Sequence, residues 1–232
     1  MIDLALARAA MADRIAAIGF PAPVVAAMRA VPRNAFVPRH FWRLAYADAD
    51  LWLGTCTLPA PVSIARRLGA LSVRPGERVL EVGTGCGYQT ALLAELGATV
   101  FTIETAGAFD LSEGALGARA GAAVNRSLGG GVDAWCQEAP FDAIVVNDLI
   151  PVVPQALTAQ MAEAGRLVAI IEPAGEPGGG VARLTVVRRY PDGMLRFQDA
   201  GPFSHVAAPT CPAVAVPRLG IVPILEGMRS EP

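Results

Sequence analysis

The chain has 232 residues, of which 53% are hydrophobic and 17% charged, and its formal net charge is −2 at pH 7. This length is enough for one well-packed domain with additions. The charge provides no general attraction to nucleic acid or to an anionic membrane, so we expect neither as a partner. All 19 basic residues are arginines, which excludes lysine chemistry such as a Schiff base.

Cysteine usage and the N-terminus indicate a cytoplasmic protein. The cysteines lie far apart without a C-x-x-C pair and are accompanied by only two histidines, so we expect reduced thiols and no metal site. Residues 1–8 lack the basic segment and long apolar core of a signal peptide. No run approaches the roughly 18 apolar residues that a transmembrane helix needs.

The first 60 residues are predicted to form a helical and looped extension that packs on the core. Apolar residues recur at helical spacing from Leu4 to Ile18, and Gly19 ends this first helix. A second helix is predicted over Pro23–Val31, and Pro32 ends it. An aromatic stretch follows, and residues 47–61 lack a clear period, which indicates an extended loop.

From residue 61 to residue 200 the patterns of helix and strand alternate, which predicts the core. The helices are expected at 61–71, 88–96 and 154–164, with a weakly helical segment at 105–126. The strands are expected at 78–82, 99–103, 141–146 and 166–171. Such alternation predicts an α/β fold with a Rossmann-like, mostly parallel sheet covered by helices on both faces. The turn Pro191-Asp-Gly193 predicts a C-terminal antiparallel hairpin of 181–190 and 194–199. Residues 201–232 read as a Pro-rich tail.

The most informative segment is the strand Arg78-Val-Leu-Glu-Val82 with the glycines that follow it. Gly83, Gly85 and Gly87 alternate with other residues, so the backbone can turn sharply there and a ligand can approach closely. The next strand ends in Glu104, where an acid is placed to accept hydrogen bonds from ribose hydroxyls. This pattern predicts a nucleoside-binding site.

The glycine spacing distinguishes between cofactors. In the dinucleotide fingerprint the third glycine follows the second by three residues, whereas here that position is Tyr88 and the glycine comes one residue early. A Walker A loop requires a lysine, which the chain does not contain. The pattern Glu81-x-Gly83-x-Gly85-x-Gly87 instead resembles motif I of class I S-adenosyl-L-methionine methyltransferases.

Further segments extend the resemblance to one family. The motifs occur in the order Val31-Pro-Arg-Asn-Ala-Phe-Val-Pro38, Leu44-Ala-Tyr-Ala-Asp48, Glu81-Val-Gly-Thr-Gly-Cys-Gly-Tyr-Gln89, Phe141-Asp-Ala-Ile-Val-Val146 and Gly165-Arg-Leu-Val168. Together they resemble the protein-L-isoaspartate (D-aspartate) O-methyltransferase family.

The resemblance implies methyl transfer from S-adenosyl-L-methionine to the α-carboxylate of an isoaspartyl residue in a damaged protein or peptide. It implies cofactor binding by residues of the glycine motif and the acid of the next strand, namely Glu81, Val82, Gly83, Thr84, Gly85, Gly87, Gln89 and Glu104. Because a carboxylate with a pKa near 4 is already ionised at neutral pH, the chemistry demands little acid–base help.

Three stretches depart from the family pattern. In the substrate loop Gly54-Thr-Cys-Thr-Leu-Pro-Ala-Pro61, Pro59 stands at the family's serine position, and Thr57 is the nearest remaining hydroxyl and hence the candidate catalytic residue. Gly130 stands where the family has an acid near the adenine, and Asp133 is a displaced substitute. Asn147-Asp-Leu-Ile150 replaces small residues, which reshapes the floor of the site.

These departures leave three hypotheses. The first is a repair methyltransferase of the isoaspartyl type. The second is a methyltransferase that uses S-adenosyl-L-methionine on another peptide or a small carboxylate. The third is a catalytically silent family member that acts as a binding protein.

Overall fold

The computed structural model describes residues 3–104, 123–172 and 181–203. In these ranges five α-helices occur, which are Leu4–Ile18 (α1), Ala22–Ala30 (α2), Pro61–Leu71 (α3), Tyr88–Glu95 (α4) and Gln155–Ala159 (α5). The strands of the same ranges are Leu51–Trp52 (β1), Thr57–Leu58 (β2), Arg78–Val82 (β3), Thr99–Glu104 (β4), Val124–Leu128 (β5), Phe141–Ile150 (β6), Met161–Ile171 (β7), Arg183–Arg189 (β8) and Leu195–Pro202 (β9). Helix α1 begins where Asp3 accepts hydrogen bonds from the amides of Ala5 and Leu6, and it ends at Gly19, whose φ is 98°.

Seven of these strands form one sheet in the order β5-β4-β3-β6-β7-β8-β9. The strands from β5 to β7 are parallel, and β8 and β9 add to the edge as an antiparallel hairpin. The chain builds outward from β3 through β4 to β5 and then returns to the other side of β3 with β6. This reversal creates a crevice at the carboxyl ends of β3, β4 and β6, which is where open α/β sheets bind ligands.

The two faces of the sheet are covered differently. One face packs against α1 to α4 in a cluster that includes Met28, Ile64 and Leu92. The other face packs against α5 and nearby turns through residues such as Phe101 and Leu157. Consecutive strand residues point to opposite faces, and both faces are covered, so the buried strands are continuous apolar runs in the sequence rather than alternating ones.

The alternating core, the mostly parallel sheet and the C-terminal hairpin confirm the predicted fold class. The prediction was wrong over 154–164, where the helix ends at Ala159 and β7 begins at Met161. Met161 pairs with Phe141 of β6 despite the helix propensity of Met-Ala-Glu-Ala, and a register shift follows before pairing resumes at Arg166.

Smaller differences occur elsewhere. Residues 124–128 form edge strand β5, although helix was predicted through residue 126, and residues 105–122 lie outside the described ranges. The loop over 47–61 contains the short antiparallel pair β1 and β2. The predicted tail falls outside the described residues from 204 onward, and β9 extends to Pro202.

The N-terminal motifs pack directly against the helix that follows the glycine loop. The buried Arg33 donates from Nε to the carbonyl oxygen of Ala45 (2.8 Å), and its guanidinium lies 5.3 Å from the ring centre of Tyr88. Phe36 contacts the same ring edge-to-face at 5.5 Å. The Val-Pro-Arg and Gly-Tyr-Gln motifs therefore meet in space and join the N-terminal segment to α4.

The Gly165-Arg-Leu-Val168 motif has a structural explanation. Arg166 is buried and bonds Glu77 through two guanidinium nitrogens, at 2.9 and 2.6 Å. It also donates to the carbonyl oxygens of Leu71 and Ser72 at the end of α3. One side chain of β7 thus fixes the α3–β3 connection.

Among the described residues, no helix is long and apolar enough to cross a membrane.

Candidate active site

The glycine loop connects β3 to α4 at the crevice. Gly83 has φ of 91°, and a Cβ atom there would lie 3.3 Å from Cβ of Asn147 and 3.5 Å from Oδ2 of Asp148. Both the left-handed backbone and the close approach require glycine at this position. The amides of Gly83 and Thr84 donate to the carbonyl oxygen of Ile103, at 2.9 and 3.2 Å, which ties the loop to β4.

Glu104 lies beside this loop, as its position at the end of β4 predicts. Its Oε2 accepts a hydrogen bond from the amide of Gly85 at 2.5 Å, and the residue is buried. The predicted acid and the glycine loop are therefore in direct contact. This contact is the geometry expected of a site that holds the ribose of a nucleoside.

Glu81 lies below the loop in a fully protein-bound environment. Its Oε1 accepts from Gln89 (3.0 Å) and Asn147 (3.1 Å), and its Oε2 accepts from Thr90 (2.5 Å) and Thr102 (3.0 Å). Burial raises the pKa of this carboxyl, and the four hydrogen bonds oppose the increase.

An ionised carboxylate at the end of a strand above a buried sheet is expected to need solvent or a ligand, because such groups are rarely buried alone. Glu81 needs neither, because the protein itself supplies a donor for each of its acceptor positions.

Three more of the predicted cofactor residues have side chains that point into the protein. Val82 belongs to the apolar cluster on one face of the sheet. Thr84 shares a 2.6 Å hydrogen bond with Thr102, and Gln89 donates to Asn147 Oδ1 at 2.7 Å as well as to Glu81. The side chains of Val82, Thr84 and Gln89 therefore support the glycine loop from within the protein. Val82 and Thr84 can contact a ligand in the crevice only through their backbone.

Asn147 is the centre of this network. Its Nδ2 donates to the carbonyl oxygen of Gly83 (2.7 Å) as well as to Glu81. Its Oδ1 accepts from Gln89 and from Nη1 of Arg67 (3.1 Å). The departure from the family at this position thus adds a polar bridge between β6, the loop and α3.

Sequence reasoning missed Arg67, whose side chain is 2% exposed. Burial lowers the pKa of its guanidinium to about 10, while the charges of Glu81 and Asp148 oppose the decrease, so the group stays protonated at neutral pH. The available signal was an arginine on the apolar face of α3, between Ile64 and Leu68. A buried cation needs nearby carboxylates, and this site provides them.

The 54–61 loop approaches the glycine loop through Cys56. The Cys56 Cβ and Sγ atoms would lie 3.9 and 4.0 Å from a Cβ atom on Gly85. Thr57 is the next residue, is partly exposed and pairs with Trp52 in the β1–β2 ladder. The structure therefore places the candidate hydroxyl on the segment that borders the crevice.

Asp48 and Asp50 hold the end of the 54–61 loop, a role that sequence reasoning did not assign to them. Asp50 Oδ1 accepts from the amide of Ala60 (2.6 Å), and Asp48 Oδ1 accepts from the amide of Val62 (2.9 Å). Ala60 is the N-cap residue of α3, whose first amides lack helical partners. Two aspartates from another segment thus cap this helix.

At the predicted adenine end, Gly130 has φ of 80°, and a Cβ atom there would lie 3.0 Å from Cβ of Ala134. The backbone at this position accommodates only glycine, so an acid does not fit there without a change of path. Asp133 is exposed in the following turn.

Cys86, the third residue before Gln89 in the glycine motif, is buried. Burial raises the pKa of its thiol to about 11. A thiol with such a pKa is an inert packing group at neutral pH.

Among the described residues, no group of three or more potential metal ligands occurs.

The comparison with known proteins agrees with this geometry. A family model described as protein-L-isoaspartate(D-aspartate) O-methyltransferase matches residues 16–209. A relative of that name from Methylorubrum populi is 44% identical over 207 residues, which cover 89% of this chain and 95% of the relative. Another from Gloeobacter violaceus is 41% identical over 179 residues, 74% of this chain and 83% of the relative.

A solved structure shares the fold. It is that of a putative protein-L-isoaspartate O-methyltransferase from Plasmodium falciparum in complex with S-adenosyl-L-homocysteine, and it matches with a TM-score of 0.71 at 18% identity over 86% of this chain and 96% of that chain. With the family match over most of the chain, the conclusion is direct. The chain belongs to the protein-L-isoaspartate (D-aspartate) O-methyltransferase family, whose members take their methyl group from S-adenosyl-L-methionine.

Proposed function

We propose that this protein transfers a methyl group from S-adenosyl-L-methionine to the α-carboxylate of isoaspartyl residues in damaged proteins or peptides. The observation that carries the proposal is the contact of Glu104 with Gly85 at the crevice, in a chain with relatives of that activity at 44% identity. Neither a different acceptor nor a catalytically silent chain is favoured by a specific observation.

The residues around the crevice fit this cofactor. Gly83 lets the loop pack closely on Asn147 and Asp148 at the end of β6, where a side chain would displace them. Gly83, Gly85 and Gly87 would line the amino-acid and ribose parts with backbone, and Glu104 would accept hydrogen bonds from the ribose hydroxyls. Glu81, Val82, Thr84 and Gln89 would support this surface from beneath.

The bound cofactor supplies a methyl group on a sulfonium, which is an electrophile without further activation. The protein has to hold the acceptor carboxylate in line with that methyl group and to exclude water. No general base is needed, because the carboxylate is ionised at neutral pH. The 54–61 loop borders the crevice, and we assign to the Thr57 hydroxyl the task of orienting the carboxylate by a hydrogen bond.

We further propose a cytoplasmic location and an acceptor that is a protein or peptide. The described cysteines Cys86 and Cys136 are free thiols, which supports a reducing compartment. The net charge of −2 supports the proposal that neither nucleic acid nor a membrane is a partner.

The activity is tested with an isoaspartyl peptide and methyl-labelled S-adenosyl-L-methionine. We expect a methyl ester that is labile to base, and no ester on the matched peptide with an ordinary aspartyl residue at the same position. Equal labelling of the two peptides, or none at high enzyme concentration, would contradict the proposed acceptor. A melting temperature that S-adenosyl-L-homocysteine does not change would contradict cofactor binding itself, because ligand at 100 times its Kd stabilises a fold by about 2.7 kcal/mol.

A further inference from the structure

Asp148 lies directly beside the first glycine of the loop. Its Oδ2 is 3.5 Å from the position that a Cβ atom on Gly83 would take. The carboxylate makes no hydrogen bond with any residue that the structure describes, whereas Glu81 nearby receives four. An acceptor at the crevice thus has no donor from the described part of the chain.

The charges around Asp148 favour a cation. Burial and the Glu104 carboxylate raise the pKa of Asp148, and the Arg67 guanidinium lowers it. Nη1 of Arg67 bonds Asn147 rather than Asp148. Among the described residues, the charges that act on Asp148 are thus one carboxylate and one guanidinium, and neither donates a hydrogen bond to it. A cation with N–H donors would be favoured beside this carboxylate.

The cofactor proposed above carries two cationic centres, a sulfonium and the ammonium of its amino-acid part. Of these, only the ammonium offers N–H donors, and it offers three. A carboxylate that lacks a donor and lies over the glycine loop complements that group.

We propose that Asp148 pairs with the ammonium of the amino-acid part of S-adenosyl-L-methionine, and that this pair makes the site select nucleosides that carry the amino acid. The inference rests on the proposed function, since it concerns the same ligand. The amino group is retained in S-adenosyl-L-homocysteine, whereas 5′-methylthioadenosine lacks the amino-acid part altogether. Both ligands are thioethers without a charge on sulfur, so their comparison separates the contribution of the amino-acid part, to which Asp148 is assigned, from that of the nucleoside contacts.

The test is isothermal titration calorimetry of both thioethers with the Asp148→Asn variant, which preserves size and removes the charge. We expect the Kd of S-adenosyl-L-homocysteine to increase by about tenfold or more, because a charge-assisted hydrogen bond is lost, and that of 5′-methylthioadenosine to stay unchanged. The matched control is Asp142→Asn, near the opposite end of β6, where Oδ2 accepts from the amide of Arg78 at 2.8 Å. This control should bind both ligands like the unaltered chain.

The outcomes are distinguishable. An unchanged Kd for S-adenosyl-L-homocysteine in Asp148→Asn, or an equal loss for both ligands, overturns the role of Asp148 while the proposed function stands. An unaltered chain that binds neither ligand overturns the proposed function and this inference together. Melting curves without ligand, recorded for both variants, establish that each is folded.

Discussion

Asn147 donates a hydrogen bond from its side-chain amide to the carbonyl oxygen of Gly83, at 2.7 Å, and so joins the end of β6 to the first turn of the glycine loop. The same amide nitrogen bonds Glu81. Because β6 and β3 are neighbours in the sheet, this bridge fixes the loop relative to the carboxyl ends of both strands. The shape of the crevice therefore depends on a buried polar network as well as on the glycines.

Replacement of Gly83 by alanine should abolish most cofactor binding. The left-handed backbone costs a non-glycine residue about 1–2 kcal/mol, and the new Cβ would enter the crevice 3.3 Å from Cβ of Asn147. Gly76→Ala is the matched control, since Gly76 has φ of 86° and nothing within 4 Å of its Cβ position. Both variants should lose stability in urea unfolding, Gly83→Ala the more because of its contact with Asn147, but only Gly83→Ala should lose the rise in melting temperature caused by S-adenosyl-L-homocysteine. Equal retention of that rise in both would show that ligand binding does not need glycine at residue 83.

Glu81 should make the stability of the protein depend on pH. Burial raises its folded pKa above the ordinary carboxyl value of 4.5, so between that value and the folded pKa the folded state binds more protons than the unfolded state. Its contribution is thus fully present below pH 4.5 and is lost as the pH rises through the folded pKa. Glu81→Gln should flatten this part of the profile of unfolding free energy against pH.

Glu81→Ala provides the contrast at the same position. Gln89, Asn147, Thr90 and Thr102 would each lose one acceptor, and each buried donor left unsatisfied costs about 1–3 kcal/mol. We expect Glu81→Ala to be several kcal/mol less stable than Glu81→Gln at pH 7 in urea unfolding. Similar stability of the two variants would mean that water replaces the carboxylate.

Asp50 should matter for the acceptor more than for the cofactor. Its hydrogen bond to the amide of Ala60 holds the residue that follows Pro59. Asp50→Ala should cost about 1 kcal/mol of stability and raise the KM for an isoaspartyl peptide severalfold, since the loop loses its anchor. Asp50→Asn keeps the side-chain oxygen and should remain close to the unaltered chain. A changed Kd for S-adenosyl-L-homocysteine in Asp50→Ala would instead connect this anchor to the cofactor side of the crevice.

The sequence was sufficient for the fold and for the glycine loop because both depend on local chemistry. Apolar runs predict buried strands, and alternating glycines predict a turn that a ligand can approach. The buried network was not predictable in the same way, because Glu81, Arg67 and Asn147 come from three distant segments that only the sheet topology brings together. For the same reason the capping of α3 by Asp48, from 14 residues away, had no local signal.

The segment 161–165 shows the opposite limit. Its sequence favours a helix, yet Met161 pairs with Phe141 of β6, and the register then shifts so that pairing resumes only at Arg166. Ala164 takes a positive φ of 57° inside this irregularity. Local propensity therefore fails where the sheet decides the conformation.

Thr57 should contribute to acceptor methylation through its hydroxyl. If that group orients the carboxylate, Thr57→Val should lower kcat/KM for an isoaspartyl peptide by about tenfold, since one hydrogen bond to a charged group is worth about 1.5–3 kcal/mol. Thr57→Ser keeps the hydroxyl and should retain most of the activity. Pro59→Ser tests the neighbouring departure, because it restores a hydroxyl and an N–H that proline lacks. The measurement is initial methylation rate over a range of peptide concentrations, with the Kd of S-adenosyl-L-homocysteine as the control that should not change. Full activity of Thr57→Val would show that the Thr57 hydroxyl does not orient the acceptor. An increase of kcat/KM in Pro59→Ser would then locate the acceptor contact at residue 59.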